Sequence, residues 1–167
     1  MKKCVKHIKH NKYIHNTIRL IMYMLSGWFE KPINKIGFED VKYAIEQSSH
    51  YLLINTLPAS EQRCLIKNTL PCMVEETTIN EKIAQFQMRK CCIILYGRNS
   101  ADTTTDKKYK QLSTLGFTNV YIYAGGLFEW LLLQDIYGYN EFPTTEKELD
   151  ILKYRAPKQF DVPRIGY

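Results

Sequence analysis

The sequence lacks the features that mark secreted and membrane-spanning proteins. Its apolar run at residues 20–25 is too short to cross a bilayer. A basic start followed by an apolar run imitates a signal peptide, but no small-residue cleavage site follows it. These absences predict a protein that is not secreted, and we expect a cytoplasmic location.

Paired cysteines are also missing. The five cysteines are odd in number and form no Cys-x-x-Cys pattern, which excludes a disulfide framework and indicates a reducing compartment. His7, His10 and His15 lie among lysines, with no carboxylate or thiolate at metal-ligand spacing. We therefore predict no metal site, and no motif in the chain calls for a cofactor.

Acidic residues are nearly absent from the first 35 positions. This segment holds one acid, Glu30, and eight basic residues, which give it a net charge of +7. The remainder holds fifteen basic and sixteen acidic residues. The net charge of +6 therefore arises from residues 1–35, which are the N-terminal arm (residues 1–34) and the adjoining Lys35. The candidate binding residues of the arm are Lys2, Lys3, Lys6, Lys9, Lys12 and Arg19. Such an arm either binds an anionic membrane surface or nucleic acid, with peripheral membrane association in the first case, or is a solvated extension.

An apolar stripe follows within the same arm. Its members recur at helical spacing and are Ile14, Ile18, Ile21, Leu25 and Trp28. Pro32 ends the predicted helix. The stripe either docks on a protein surface or lies on a membrane, and we expect docking.

Strands and helices alternate through the rest of the chain. Apolar runs at residues 51–54 and 91–96, and the segment 119–123, predict strands, and the continuous runs indicate strands covered on both faces. Helices are predicted at residues 38–47, 79–87, from the Asp102 region to about 115, and 127–137, with residues 59–78 irregular. Thr145-x-x-Glu148 has the form of a capping box, which predicts a last short helix through about Lys153. The fold class is α/β, with three layers and a central, mainly parallel sheet.

One block of the chain carries a family resemblance. A buried strand ends at Tyr96, a loop and helix follow, and then come Gly116-Phe117-Thr118-Asn119-Val120-Tyr121 and Gly125-Gly126-Leu127-Phe128-Glu129-Trp130. This order resembles the C-terminal half of the rhodanese-like domain family, and the resemblance extends over residues 35–143. The stretch 53–69, together with the Gly125-Gly126 block, looks similar to uncharacterised rhodanese-like proteins of large DNA viruses and protists. Residues 144–167 are then a C-terminal helix and tail.

The resemblance implies a sulfur-carrying cysteine at the start of the loop, where this chain has Gly97. We therefore predict no catalytic residue in this vestigial loop, whose members are Gly97, Arg98, Asn99, Ser100, Asp102, Thr103 and Thr104. Two interpretations stay open for it. The loop is either a remnant anion pocket, with donors from Arg98, Asn99 and Ser100, or an ordinary strand-to-helix turn. In the second case, which we expect, Asp102 supplies a negative charge internally.

Three functions fit these observations. The first is an interaction module with the rhodanese fold but without its activity, which binds a protein partner that the sequence does not identify. The second is an active sulfurtransferase with a relocated nucleophile, Cys64 or Cys72. The third is a membrane- or nucleic-acid-associated protein that acts through its basic arm. We expect the first.

Overall fold

A computed structural model describes residues 32–160, and within this part the residues from Asn34 onward form one compact unit. Its strands are β1 (Lys35–Ile36), β2 (Tyr51–Asn55), β3 (Cys92–Tyr96) and β4 (Asn119–Tyr123). Its α-helices are α1 (Phe38–Glu46), α2 (Cys72–Ala84), α3 (Thr104–Thr114) and α4 (Gly126–Tyr137). Short 3-10 helices cover Ala59–Glu61 and Ile151–Tyr154.

The four described strands form one parallel sheet in the order β1-β4-β3-β2. In register, Leu53 pairs with Ile94, and Ile94 pairs with Tyr121. Parallel neighbours need a crossover between them, and the helices that alternate with the strands provide it. The α/β fold with a central parallel sheet is thereby confirmed.

Each face of the sheet has its own helical cover. Leu53, Ile94 and Tyr96 pack with Ala44 of α1 and Trp130 of α4 in one apolar cluster. The alternate residues of the same strands project to the opposite face, where α3 packs on β3 and β4. Six residues of the three predicted strands are buried in the core: Leu53, Ile54, Ile93, Leu95, Val120 and Ile122.

Two helix predictions were wrong. The second helix begins at Cys72, directly after Pro71, and not at residue 79. Its apolar pattern is poor because Met73 and Val74 are exposed, while Ile79 alone is buried in this helix. The capping box at Thr145 is absent, because the Thr145 hydroxyl donates to Arg63 O (3.0 Å) and accepts from the N–H of Leu65 (2.9 Å). A 3-10 turn at Ile151–Tyr154 takes the place of the last helix.

Two buried tyrosines of the core differ in their hydrogen bonds, and this leads to a stability prediction. The Tyr96 hydroxyl accepts from the N–H of Ile66 (3.2 Å) and bonds with the Thr69 hydroxyl (2.8 Å). The Tyr154 hydroxyl has no hydrogen-bond partner among the described residues. Tyr96→Phe should lower the free energy of unfolding by about 1–3 kcal/mol, because it leaves buried groups unpaired. Tyr154→Phe, the matched control, should change it by less than about 0.5 kcal/mol. Urea denaturation measures both, and equal losses would contradict the assignment.

Candidate functional site: the loop after strand β3

The loop between β3 and α3 occupies the position where open parallel sheets bind ligands. Gly97 follows β3 directly, at the carboxyl end of a central strand. Gly97 and Asn99 are buried, whereas Ser100 and Thr103 are exposed. Residues 98–103 then lead into α3, so backbone N–H groups of the loop and of the helix N-terminus lie close together. Such groups bind anions in many proteins.

In this chain the anion of the loop is a carboxylate of the loop itself. The Asp102 side chain accepts hydrogen bonds from the backbone N–H of Arg98 (2.9 Å) and the backbone N–H of Thr104 (2.9 Å). The Thr104 hydroxyl donates to it as well, at 2.6 Å. Asp102 therefore bonds to the start of α3 and caps it. The carboxylate fills the loop, in agreement with the second interpretation of its sequence.

The charge of Asp102 is stabilised by these contacts. Partial burial alone would raise the pKa of the carboxyl group. The hydrogen bonds from Thr104 and from the Arg98 N–H, with the nearby Arg98 guanidinium, outweigh burial and hold the pKa below its ordinary value. The loop consequently holds a permanent negative charge at neutral pH.

Asp102 also takes the space of a side chain at position 97. A Cβ atom built on Gly97 would lie 2.5 Å from the Asp102 Oδ2 atom. Real Cβ atoms do not approach other atoms so closely, so any larger residue at 97 forces the carboxylate to move. Gly97 and Asp102 thus depend on each other sterically.

The N-terminus of α4 holds the other side of the loop. The N–H groups of Leu127 and Phe128 donate to the carbonyl oxygens of Gly97 (2.9 Å) and Arg98 (2.8 Å). This approach requires Gly126, which has a φ of +64°. A Cβ atom there would lie 2.7 Å from Gly97 O. The Gly125-Gly126 pair therefore serves a close backbone contact as well as the tight turn from strand to helix.

Two further polar side chains of the loop, those of Arg98 and Asn99, also have partners within the protein. Arg98 forms a two-pronged ion pair with Glu61, with Nε to Oε2 at 2.6 Å. This ion pair and nearby carboxylates raise the pKa of the Arg98 guanidinium. The Asn99 side chain donates to Tyr154 O (2.6 Å) and accepts from the N–H of Ala101 (2.9 Å). The C-terminal 3-10 turn is in this way tied to the loop.

A cavity of about 420 Å³ lies against the loop and the C-terminal segment. Its cationic side chains are Arg98, Lys153 and Arg155. Lys153 pairs with Glu148 and lies over the Tyr154 ring, while Arg155 donates to Leu152 O (2.8 Å). With Arg98 held by Glu61, each cation already contacts a group of the protein.

The candidate nucleophiles lie elsewhere. Cys64 is buried, its Sγ donates to Glu146 O (3.1 Å), and burial raises the pKa of its thiol. Cys72 is exposed and lines a separate cavity between α2 and α3, beside Glu75 and Lys108. Cys91 is buried just before β3, at the opposite end of the strand from the loop. No described cysteine lines the cavity at the loop.

Other predicted residues fall outside the described part of the chain. The arm residues Lys2, Lys3, Lys6, Lys9, Lys12 and Arg19 belong to residues 1–31, which the structure does not describe. Within residues 32–160, no helix has the length and apolar character needed to cross a membrane. The same part of the chain contains no group of three or more His, Cys, Asp or Glu side chains arranged to hold a metal ion.

Sequence reasoning missed Glu61 and Tyr154 as parts of this site. Glu61 lies in a 3-10 turn within a segment of poor periodicity, and its partner Arg98 is far away in sequence. Tyr154 contributes a backbone oxygen, which any residue type supplies. The one feature of the sequence that points to Glu61 is Arg98, because an arginine directly after a buried strand is often paired with a carboxylate.

Comparisons with known proteins place this geometry in a family. The family model described as "Rhodanese-like domain" matches residues 37–133. A search of curated proteins found no match. Among solved structures, the yeast protein Ygr203w, a protein tyrosine phosphatase of the Rhodanese family, is similar with a TM-score of 0.51 and 13% identity, over 75% of this chain and 99% of that one. The Rhodanese-like domain of the Anabaena sp. protein Alr3790 follows with a TM-score of 0.49, 18% identity and 81% and 93% coverage. The Bacillus halodurans protein BH2092 has a TM-score of 0.48, 20% identity and 74% and 82% coverage.

Proposed function

The chain belongs to the rhodanese-like domain family, and we propose that it is a member without catalytic activity that serves as an interaction module. Gly97 holds the position where the family's sulfur-carrying cysteine is expected. Persulfide transfer needs a thiolate, and the hydroxyl groups of Ser100, Thr103 and Thr104 are poor acceptors of sulfane sulfur. A relationship to proteins of large DNA viruses and protists remains a prediction from the sequence.

The observation that carries this proposal is the position of the Asp102 carboxylate. It takes both the hydrogen-bond donors that an anionic substrate would use and the space that a side chain at position 97 would fill. A second anion at the same place would meet strong repulsion from the charge of Asp102. The loop is therefore suited to a structural role.

A sulfur-transfer assay tests the proposal. The full chain should transfer no sulfur from thiosulfate to cyanide above the rate without protein, because no thiol lies at the loop. Since one structural neighbour is a tyrosine phosphatase, hydrolysis of p-nitrophenyl phosphate should be measured as well, with the same expected result. An active rhodanese serves as the positive control.

The variants Cys64→Ser and Cys72→Ser distinguish the runner-up function. Turnover that disappears in either variant would mean that a relocated cysteine is the nucleophile, and the proposal would then be wrong. Cys64 is the weaker candidate of the two, because it is buried and its thiol pKa is raised. Cys72 is exposed, so its replacement is the more informative test.

The basic arm supports a further candidate function, association with an anionic surface. The charge of +7 in residues 1–35 and the apolar stripe of the arm predict binding to anionic vesicles or nucleic acid that weakens with salt. Deletion of residues 1–12 removes five lysines and should abolish such binding while leaving the melting temperature unchanged. Vesicle cosedimentation and electrophoretic mobility shift at low salt measure it. If the full chain binds neither target, the arm has no such function.

A further inference from the structure

A second concave surface lies at the opposite end of the sheet from the loop. It is a cavity of about 430 Å³ formed where α1 leads into β2 and α2 leads into β3. Its lining includes the aromatic residues Tyr43 and Tyr51 and the cations Lys82 and Lys90. Among the described lining residues there is no aspartate or glutamate. The cavity is therefore partly aromatic and positively charged, and its volume is in the range that accommodates one small ligand or a few side chains.

Phe86, beside this cavity, is an exposed aromatic residue with an unfavourable backbone conformation. It follows α2, next to Gln87 of the cavity wall, and 85% of its surface is exposed. Its φ of +55° is in the left-handed region, where helix ends usually have glycine or asparagine. The N–H groups of Phe86 and Gln87 bond to Ile83 O and Lys82 O, which fixes this conformation. Phenylalanine at this position therefore has an unfavourable backbone conformation and is not buried in the core.

The cations around Phe86 are available for a partner. The described ion pairs use other basic residues, namely Lys42, Arg63, Arg98, Lys108 and Lys153. Lys82 bonds to the uncharged side chain of Gln87, and Arg89 and Lys90 are exposed. Glu81 is the one acid in the segment from residue 81 to residue 90, so the net charge of that segment is positive.

We infer that Phe86 with Lys82, Arg89 and Lys90 forms a docking surface for an acidic protein segment that carries an apolar residue. This inference rests on the proposed role of the chain as an interaction module and specifies where a partner binds. An exposed aromatic residue beside a pocket is the usual anchor of such a surface, and the cations select for acidic sequences. Strain kept at an exposed residue is consistent with a binding role.

The observations favour a protein segment over nucleic acid or membrane. Single-stranded nucleic acid is bound along an extended basic groove with successive stacking aromatics, whereas here one exposed ring lies among three cations within nine residues. Membrane binding needs a broad apolar face, whereas the residues on either side of Phe86, Gln85 and Gln87, are polar. A compact charged patch beside a pocket suits a short peptide.

The test uses the full chain labelled with nitrogen-15 and a short glutamate-rich peptide with one central leucine. Amide resonances of residues 82–92 should shift and saturate during titration at low salt. Because each resonance reports its own position, binding of the peptide to the basic arm is observed separately. Phe86→Asn and Lys90→Glu should each weaken the affinity measured at residues 82–92 roughly tenfold or more. Phe160→Asn and Lys107→Glu make the same chemical changes at other exposed positions and should leave it unchanged.

Melting temperatures separate a binding role from a structural one. Asparagine tolerates positive φ better than phenylalanine, so Phe86→Asn should keep or raise the melting temperature while it weakens binding. Absence of shifts at residues 82–92, equal weakening by Lys107→Glu, or tighter binding of an oligonucleotide or anionic vesicles at these residues would overturn the inference. Any of these results in a protein without sulfur-transfer activity leaves the proposed loss of catalysis intact, whereas sulfur transfer would overturn that proposal alone.

Discussion

Replacement of Gly126 by alanine is expected to lower the free energy of unfolding by about 3 kcal/mol. Two effects combine in this variant. The backbone at position 126 has a φ of +64°, which is costly for alanine, and the new Cβ atom would lie within 2.8 Å of the loop backbone at Gly97 and Arg98. Backbone atoms cannot move aside as a flexible side chain does. For a chain of this size the melting temperature should fall by roughly 6–12 °C.

Gly37→Ala is the matched control for this prediction. Gly37 has a φ of −94°, and the nearest atom to a new Cβ is the end of the Glu39 side chain at 3.3 Å. Its replacement should therefore change the melting temperature by only a degree or two. Differential scanning calorimetry measures both variants. If Gly126→Ala is as mild as Gly37→Ala, the close contact between α4 and the loop is not as described.

Gly97→Cys restores the residue type expected for the family, yet it should not restore a reactive thiol. The Cβ atom of the new residue collides with Asp102, and a nearby carboxylate raises the pKa of a thiol by charge repulsion. In Gly97→Cys/Asp102→Ala both obstacles are removed. The thiolate then benefits from the N–H groups of Arg98 and Thr104, which Asp102 now occupies.

The expected difference is large. At neutral pH the thiol at position 97 should react with iodoacetamide at least about tenfold faster in the double variant than in the single one, since one pKa unit changes the thiolate fraction about tenfold. Tandem mass spectrometry, which fragments the modified peptides, distinguishes position 97 from the five native cysteines, Cys4, Cys64, Cys72, Cys91 and Cys92. The variant Gly97→Cys/Asp106→Ala serves as a control, because Asp106 is also an acid at the start of α3. Equal rates in all three proteins would refute the proposed role of Asp102.

The central strands could be predicted from the sequence because their cause is local. The run from Cys92 to Tyr96 is apolar without interruption, as expected for a strand covered on both faces, and all but its first residue are buried. The end of α4 was likewise predictable, because glycine is the residue that most often follows the end of a helix. Gly138 has this role, and its φ is +98°. By contrast, β1 has only two residues, Lys35 and Ile36, and a strand of two residues is too short for a periodic pattern to indicate it.

The candidate site could be predicted in position but only partly in its interactions. A loop after a buried strand, with Asp102 before a helix, identified the place of the site and the residue that supplies its negative charge. The contact between Gly126 and Gly97 joins residues far apart in the chain, so no local pattern indicates it. The Thr145 error has the same origin, because hydrogen bonds to Arg63 and Leu65 displaced the local cap that the sequence favoured. Long-range partners of this kind are not visible in a single sequence.

The placement of β1 at the edge of the sheet, next to β4, affects the order in which the chain folds during its synthesis. Lys35 pairs with Ile122, so the first strand leaves the ribosome long before its partner exists. At about 5–20 residues per second, roughly 90 residues of further synthesis take about 5–20 s. During that interval β2 and β3 can pair, but the edge that β1 finally covers does not yet exist. The nascent chain therefore completes its sheet in one late step, and a ribosome that stalls before residue 119 carries an unfinished domain with exposed apolar surface.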